Sequence, residues 1–190
     1  DLGCHVGYIS LFSLYFGAKY VTGTNVRENY IAIADEVCSE AGYDNFTFVN
    51  SNIHNLTELL DLCNDCDTVI LSGLIYLLTN HVNILKTISK SNATTIIIDN
   101  LEYSEIKNIK IPLIYYKDQT TSVSTNCIGD APIEIVGTPN QSWIDYTMSF
   151  LKWNKISEDR YDMFVQKKQR TVSVFSKPVR HSMPIWDTSI

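Results

Sequence analysis

Asp1-Leu2-Gly3-Cys4-His5-Val6-Gly7 opens the sequence. Two glycines stand four residues apart, directly ahead of an apolar run at helical spacing, Gly7 to Phe16, that stops at Gly17. Small residues in that place let the backbone turn sharply into a helix and approach a ligand closely. Taken alone, such a loop is an ordinary strand-to-helix turn, so its weight depends on the segments downstream of it.

Downstream, the chain alternates between two periods. Tyr20 to Asn25 reads as a short strand. Glu28 to Ala41 reads as an amphipathic helix with Ile31, Ala34 and Cys38 on one face, closed by Gly42. Phe46 to Asn50 is a strand and Leu56 to Cys63 a short helix. Asp67 to Ser72 is a strand apolar on both faces, followed by a helix near His81 to Ser89 and a second buried strand, Thr94 to Asp99. This rhythm predicts βαβ units and a mostly parallel, doubly wound sheet. Residues 101–138 break it, with Pro112, Gly129, Pro132 and Gly137 and little periodicity, as in a substrate-side insertion. Ser142 to Trp153 is a helix with Trp143, Tyr146, Thr147 and Phe150 expected on its packed side. Arg160 to Gln166 and Arg170 to Lys177 form an antiparallel hairpin around Lys167-Lys168-Gln169. The expected unit is one domain, 1–178, with a tail over 179–190.

Composition narrows the function classes. At 190 residues, 45% hydrophobic and 19% charged, the chain suits one globular domain. A net charge of -6 argues against an extensive nucleic-acid surface. Residues 1–150 hold 7 Lys/Arg against 17 Asp/Glu, whereas 151–190 hold 8 against 4, and Lys167, Lys168 and Arg170 form a local basic patch. No apolar run is long enough to span a bilayer. Five cysteines without a disulfide spacing suggest a reduced, cytoplasmic setting, and the lone pair Cys63 and Cys66 gives no metal site. Four Asn-x-Ser/Thr sequons, at Asn45, Asn55, Asn92 and Asn140, are attributed to chance.

In order and spacing, five segments resemble the class I, Rossmann-like S-adenosylmethionine (SAM) dependent methyltransferases. The opening heptad resembles the family's glycine loop, with His5 where the middle glycine usually stands. Val21-Thr22-Gly23-Thr24-Asn25 resembles the second strand, whose terminal acid accepts both ribose hydroxyls; Asn25 replaces that acid. Phe48-Val49-Asn50-Ser51-Asn52-Ile53 resembles the adenine-contacting stretch, again with Asn52 for an acid. Asp67 to Leu77 resembles the segment bordering the transferred methyl, with Ser72, Gly73 and Tyr76 at the ligand end and Leu77 in place of a histidine. Arg170 to Pro178 resembles the last strand.

The resemblance implies a cofactor, SAM, held by Asp1, Gly3, Cys4, Gly7, Asn25, Val26, Asn52, Ile53, Ser72 and Gly73. It implies methyl transfer to a small molecule or nucleoside base, with Tyr76 as the candidate to orient substrate. In the family an apolar strand of about five residues directly precedes the loop. The expectation is therefore a fragment whose first, central strand is missing. His5, His81 and Asp99 are further candidates for a base, with a structural role favoured for a lone histidine. Tyr115 and Tyr116 are candidate substrate-side aromatics, and Trp143 is expected in the core. Four departures, His5, Asn25, Asn52 and Leu77, keep open a degenerate, inactive SAM- or partner-binding module. A nicotinamide-dependent oxidoreductase lacks support, since G-x-G-x-x-G and the acid ending strand two are both absent. Oligomeric state is not readable from the sequence.

Overall fold

The computed structural model describes residues 1–102, 109–120, 133–163 and 168–178. Helix α1 (Tyr8–Tyr15) leads to β1 (Val21–Asn25), α2 (Glu28–Glu40), β2 (Phe46–Asn50), α3 (Leu56–Asn64) and β3 (Thr68–Ser72). A 3₁₀ turn (Ile75–Leu77) precedes α4 (His81–Lys90), β4 (Thr95–Glu102), β5 (Ile114–Thr120), β6 (Ile133–Pro139), α5 (Gln141–Phe150), β7 (Asn154–Met163) and β8 (Lys168–Ser176). The alternation read from the sequence holds through β4.

The strands form three ladders. β1 and β2 pair in parallel; β3, β4, β8 and β7 form a four-stranded sheet in that order; β5 and β6 pair antiparallel. β3 and β4 are parallel, while β8 runs antiparallel to both β4 and β7. The C-terminal hairpin is thus present, and its first strand starts at Asn154, earlier than its polar sequence suggested. Lys167 and the tail 179–190 lie outside the described residues. So does part of the 101–138 segment; the described part contains β5 and β6, which the weak periodicity had hidden.

Between β1 and β3 runs a connection one residue wide. Leu2 bridges Thr24 in parallel and donates its backbone N–H to Ile70 O at 2.9 Å. One core, built from Leu14, Val21 and Cys38, joins α1, β1 and α2. The larger core gathers Leu59, Leu71, Ile84, Ile88, Ile98, Met148, Trp153 and Phe175 with Leu2 itself. In α5 the buried face is Gln141, Ile144, Thr147 and Met148. Tyr146 and Phe150 are 64% and 73% exposed, which corrects the face expected from their spacing. Trp143 packs against the core as expected.

Asn140 ties the β5–β6 ribbon to α5. Its Oδ1 accepts from Leu113 N (3.2 Å) and Trp143 N (2.9 Å), and its Nδ2 donates to Ile109 O (2.8 Å) and Ile111 O (3.0 Å). Both acceptor lone pairs and both donors of the amide are used. Asn140→Ala should lower the unfolding free energy by about 1–3 kcal/mol, the loss of a helix cap plus the hydrogen bonds to Ile109, Ile111 and Leu113. Urea titration would read this as a lowered midpoint at unchanged slope.

Candidate functional site

The loop between Leu2 and α1 is wound left-handed at every second residue. φ is +74° at Gly3, +52° at His5 and +82° at Gly7. His5 therefore adopts the conformation that glycine would take at its position, at a cost that histidine tolerates better than most side chains. Its ring lies 4.2 Å from that of Tyr30. Gly7 serves a second purpose: a Cβ there would stand 2.9 Å from Ala34 Cβ and 3.0 Å from Ala34 Cα. The start of α1 can approach α2 only because that carbon is missing. Gly7 N donates to Cys4 O and Cys4 N to Thr24 O, so the loop is fastened to the end of β1. Asp1 accepts from Ser10 Oγ at 2.8 Å, fixing the first strand residue to α1.

Parallel registers set Asn25 beside Asn50 and Ser72 beside Asp99, so the carboxyl ends of β1 to β4 fall in pairs around the loop. Asn25 is buried, and its Oδ1 accepts from Arg27 N at 2.9 Å. Asn52 Oδ1 accepts from His54 N at 3.0 Å. Both asparagines therefore close turns onto the backbone two residues ahead, and each amide oxygen keeps one lone pair for a ligand. Val26 follows Asn25 at half-burial, and Ile53 is buried within the larger core. Asp1, Gly3, Cys4 and His5 share a hollow of about 110 Å³ with Tyr8, Ile9 and Ser72. A larger groove, about 620 Å³, lies at the amino ends of β1 and β3 and shares Asp1 with that hollow.

On the β3–β4 side, four polar residues meet that no sequence motif joins. Arg170 Nη1 lies 3.1 Å from Asp99 Oδ2, and Ser72 Oγ donates to the same oxygen at 3.0 Å. Arg170 Nη2 donates to Tyr76 Oη at 3.2 Å, with the guanidinium 5.9 Å from the centre of the Tyr76 ring. Arg170 is thus turned inward, toward Asp99 and Tyr76. The antiparallel register of β8 on β4 brings it there, and no local pattern could announce a partner 71 residues away. Asp99 is 6% exposed, and its Oδ1 is buried without a hydrogen-bond partner among the described residues. Burial pushes its carboxyl above the usual range, against the opposing pull of Arg170 and Ser72.

His81 is structural. Its Nε2 lies 2.9 Å from both Ile75 O and Gly137 O, clamping the 3₁₀ turn to β6, and burial lowers its pKa. Tyr115 and Tyr116 are exposed on β5. Among the described residues, no group of His, Cys, Asp and Glu could hold a metal ion. Cys4, Cys38, Cys63 and Cys66 are free thiols. No helix among the described residues is long and apolar enough to cross a membrane.

Solved structures superpose on this arrangement. The N-terminal domain of EvdMO1 with SAH bound matches at TM-score 0.68 and 14% identity, over 93% of this chain and 73% of that one. The fold is that of the class I SAM-dependent methyltransferases. Magnesium protoporphyrin IX methyltransferase from Synechocystis PCC 6803 with bound SAM matches at TM-score 0.64 and 14% identity, over 93% and 68%. The 1,6-didemethyltoxoflavin-N1-methyltransferase of Burkholderia thailandensis, with bound 1,6-didemethyltoxoflavin and S-adenosylhomocysteine, matches at 0.65 and 13%, over 93% and 69%. No family model and no curated protein matches the chain.

The site geometry carries two expected outcomes. Gly7→Ala combines a left-handed φ with the Ala34 collision and should cost about 2–4 kcal/mol. Gly17→Ala, with φ +97° but nothing within 4 Å of the added carbon, should cost about 1 kcal/mol. Chemical denaturation of the two variants would test the difference. For Asp99 the folded pKa lies above the unfolded one, so its contribution to stability is largest below the unfolded pKa. That contribution falls as pH rises through the raised folded value. Subtracting the stability curve of Asp99→Asn from that of the parent, between about pH 3 and 8, should isolate this downward slope.

Proposed function

We propose that the protein is a SAM-dependent methyltransferase acting on a small molecule or nucleoside base. The observation that carries the reading is the left-handed Gly3–His5–Gly7 loop, set among the carboxyl ends of β1, β2 and β3 in a methyltransferase fold. Ligands of open α/β sheets bind at that edge. The cofactor residues proposed are Asp1, Gly3, Cys4 and Gly7 in the loop, Asn25 and Val26 at the ribose, Asn52 and Ile53 at the adenine, and Ser72 and Gly73 beside the methionine part.

The residues present fit that group. The remaining lone pair of Asn25 can accept from a ribose hydroxyl, that of Asn52 from the adenine amine, and Ile53 offers apolar surface to the ring. The hollow between the glycine loop and Ser72 lies where the methionine part would enter. When bound, SAM supplies an activated methyl for in-line displacement by a substrate nucleophile. The protein's part is then orientation and exclusion of water. Tyr76, held by Arg170, which Asp99 holds in turn, presents its hydroxyl and ring at the acceptor side. Asp99 Oδ1 is enclosed, so this carboxylate positions Arg170 rather than meeting substrate.

A second reading, a SAM- or partner-binding module without turnover, is favoured by one observation: both asparagine oxygens are already engaged in turns. Calorimetric titration with SAH tests the cofactor premise, and absence of measurable affinity would remove the enzyme reading and leave only a partner-binding module. Transfer of labelled methyl from SAM to pools of small molecules and nucleosides separates turnover from binding alone. Asn25→Asp keeps the turn acceptor and adds a charge-assisted bond to ribose, so SAH affinity should rise about tenfold.

A further inference from the structure

Residues 1–85 contain ten Asp/Glu against two Lys/Arg, Lys19 and Arg27. Lys19 precedes β1, whereas Arg27 follows it, two residues past Asn25 at the proposed ribose position. In this acidic stretch, the edge where β1 and β2 end is nonetheless built from amides: Asn25, Asn50 and Asn52. The acid nearest to Asn25 in sequence, Glu28, opens α2 and is exposed. Around the ribose position the local charge is therefore the reverse of the chain's net charge of -6.

Arg27 is half-buried and held in place. Its Nη1 donates to Tyr30 Oη at 3.1 Å, and its guanidinium carbon lies 5.3 Å from the centre of the Tyr30 ring. The opposite partner of that ring is His5, at 4.2 Å, so Tyr30 ties the cation to the glycine loop. The loop is in turn fastened to the end of β1 through Cys4 N and Thr24 O. Asn25 lies at that same strand end, and its Oδ1 is turned to Arg27 N. Its Nδ2 carries two N–H donors that a carboxylate lacks, and the side chain carries no negative charge.

A phosphate on the ribose needs what this corner supplies. A carboxylate at the end of β1 would repel it, whereas a guanidinium and an amide N–H match its oxygens. Dinucleotide-binding folds obey the same rule: an acid takes the free 2′-hydroxyl, and a nearby arginine takes a 2′-phosphate. We propose that the adenosine half of the site binds adenine nucleotides phosphorylated on the 2′- or 3′-hydroxyl of the ribose. Arg27 and Asn25 Nδ2 are the donors to that phosphate, and Tyr30 positions Arg27. The inference rests on the placement of adenosine at Asn25 and Asn52 proposed above, and is independent of methyl transfer.

Calorimetric titration of the whole chain with adenosine, adenosine 2′-monophosphate, adenosine 3′-monophosphate, inorganic phosphate and SAH tests this. One of the two monophosphates should bind at least about tenfold tighter than adenosine at low salt, an advantage that shrinks as salt rises. Which isomer gains identifies the hydroxyl that faces Arg27. Arg27→Ala should abolish the advantage, and Arg27→Lys should keep part of it as a point charge. Asn25→Asp should weaken the favoured monophosphate about tenfold while strengthening SAH, a crossover that simple damage to the fold would not produce. Equal affinities for adenosine and both monophosphates would overturn the proposal. So would an advantage that survives Arg27→Ala, inorganic phosphate binding as tightly as the nucleotide, or no binding by any of the five. Adenosine and SAH binding without a phosphate advantage sinks this proposal and leaves the cofactor reading standing. Arg27-dependent binding of a monophosphate without SAH affinity upholds it and removes the enzyme reading.

Discussion

Two residues hold the two parallel ladders together. Asp1 and Leu2 bond to Thr22, Thr24 and Ile70, and Leu2 also enters the larger core. Everything proposed for cofactor binding is divided by that seam. Asn25, Val26, Asn52 and Ile53 belong to the β1–β2 side; Ser72, Gly73 and Tyr76 belong to the β3–β4 side. The glycine loop rises from the seam itself. Relative placement of the two halves is thus fixed by a few backbone hydrogen bonds, each worth about 1 kcal/mol net, and by Leu2 and Ile53 in the larger core. A site assembled across such a joint inherits its stiffness, and local opening there would loosen both halves together.

Much of this fold is legible because its signals are local. Gly7 to Phe16, Glu28 to Ala41 and Asp67 to Ser72 each declare their period, and Gly17 and Gly42 mark real left-handed stops, with φ +97° and +86°. The β5–β6 ribbon is not legible. Its strands are polar in part, flanked by Pro112 and Pro132, and anchored by distant groups such as His81 and Asn140 rather than by their own alternation. The face of α5 departs from the one its aromatic residues mark, because Ile144 and Met148 fill the space and leave Tyr146 and Phe150 outside. In the candidate site, positions at strand ends can be placed by order alone. The join of Ser72, Tyr76, Asp99 and Arg170 cannot, because it depends on how β8 registers against β4.

That join explains why a buried carboxylate is kept beside an exposed edge. Asp99 is held by one cation and one hydroxyl on the same oxygen, and its second oxygen has no partner among the described residues. Such an arrangement adds little to stability, since desolvation offsets most of the attraction. What it achieves is direction: the guanidinium is pinned where it can grip the Tyr76 hydroxyl. The two asparagines work in a related way, each using one oxygen to shape its own turn while leaving a lone pair toward the open edge.

Asn140, whose amide is fully engaged inside the protein, is followed by Gln141 and Ser142 and so spells a glycan acceptor sequence. A sugar attached during synthesis would occupy Nδ2, remove a donor from Ile109 or Ile111 and force bulk into a 1%-exposed position. The finished fold and a glycan at this residue are mutually exclusive. Passage of the growing chain through a glycosylating compartment would thus trap it short of its native state, so a bacterial cytosol or a cell-free extract is the suitable place to produce it.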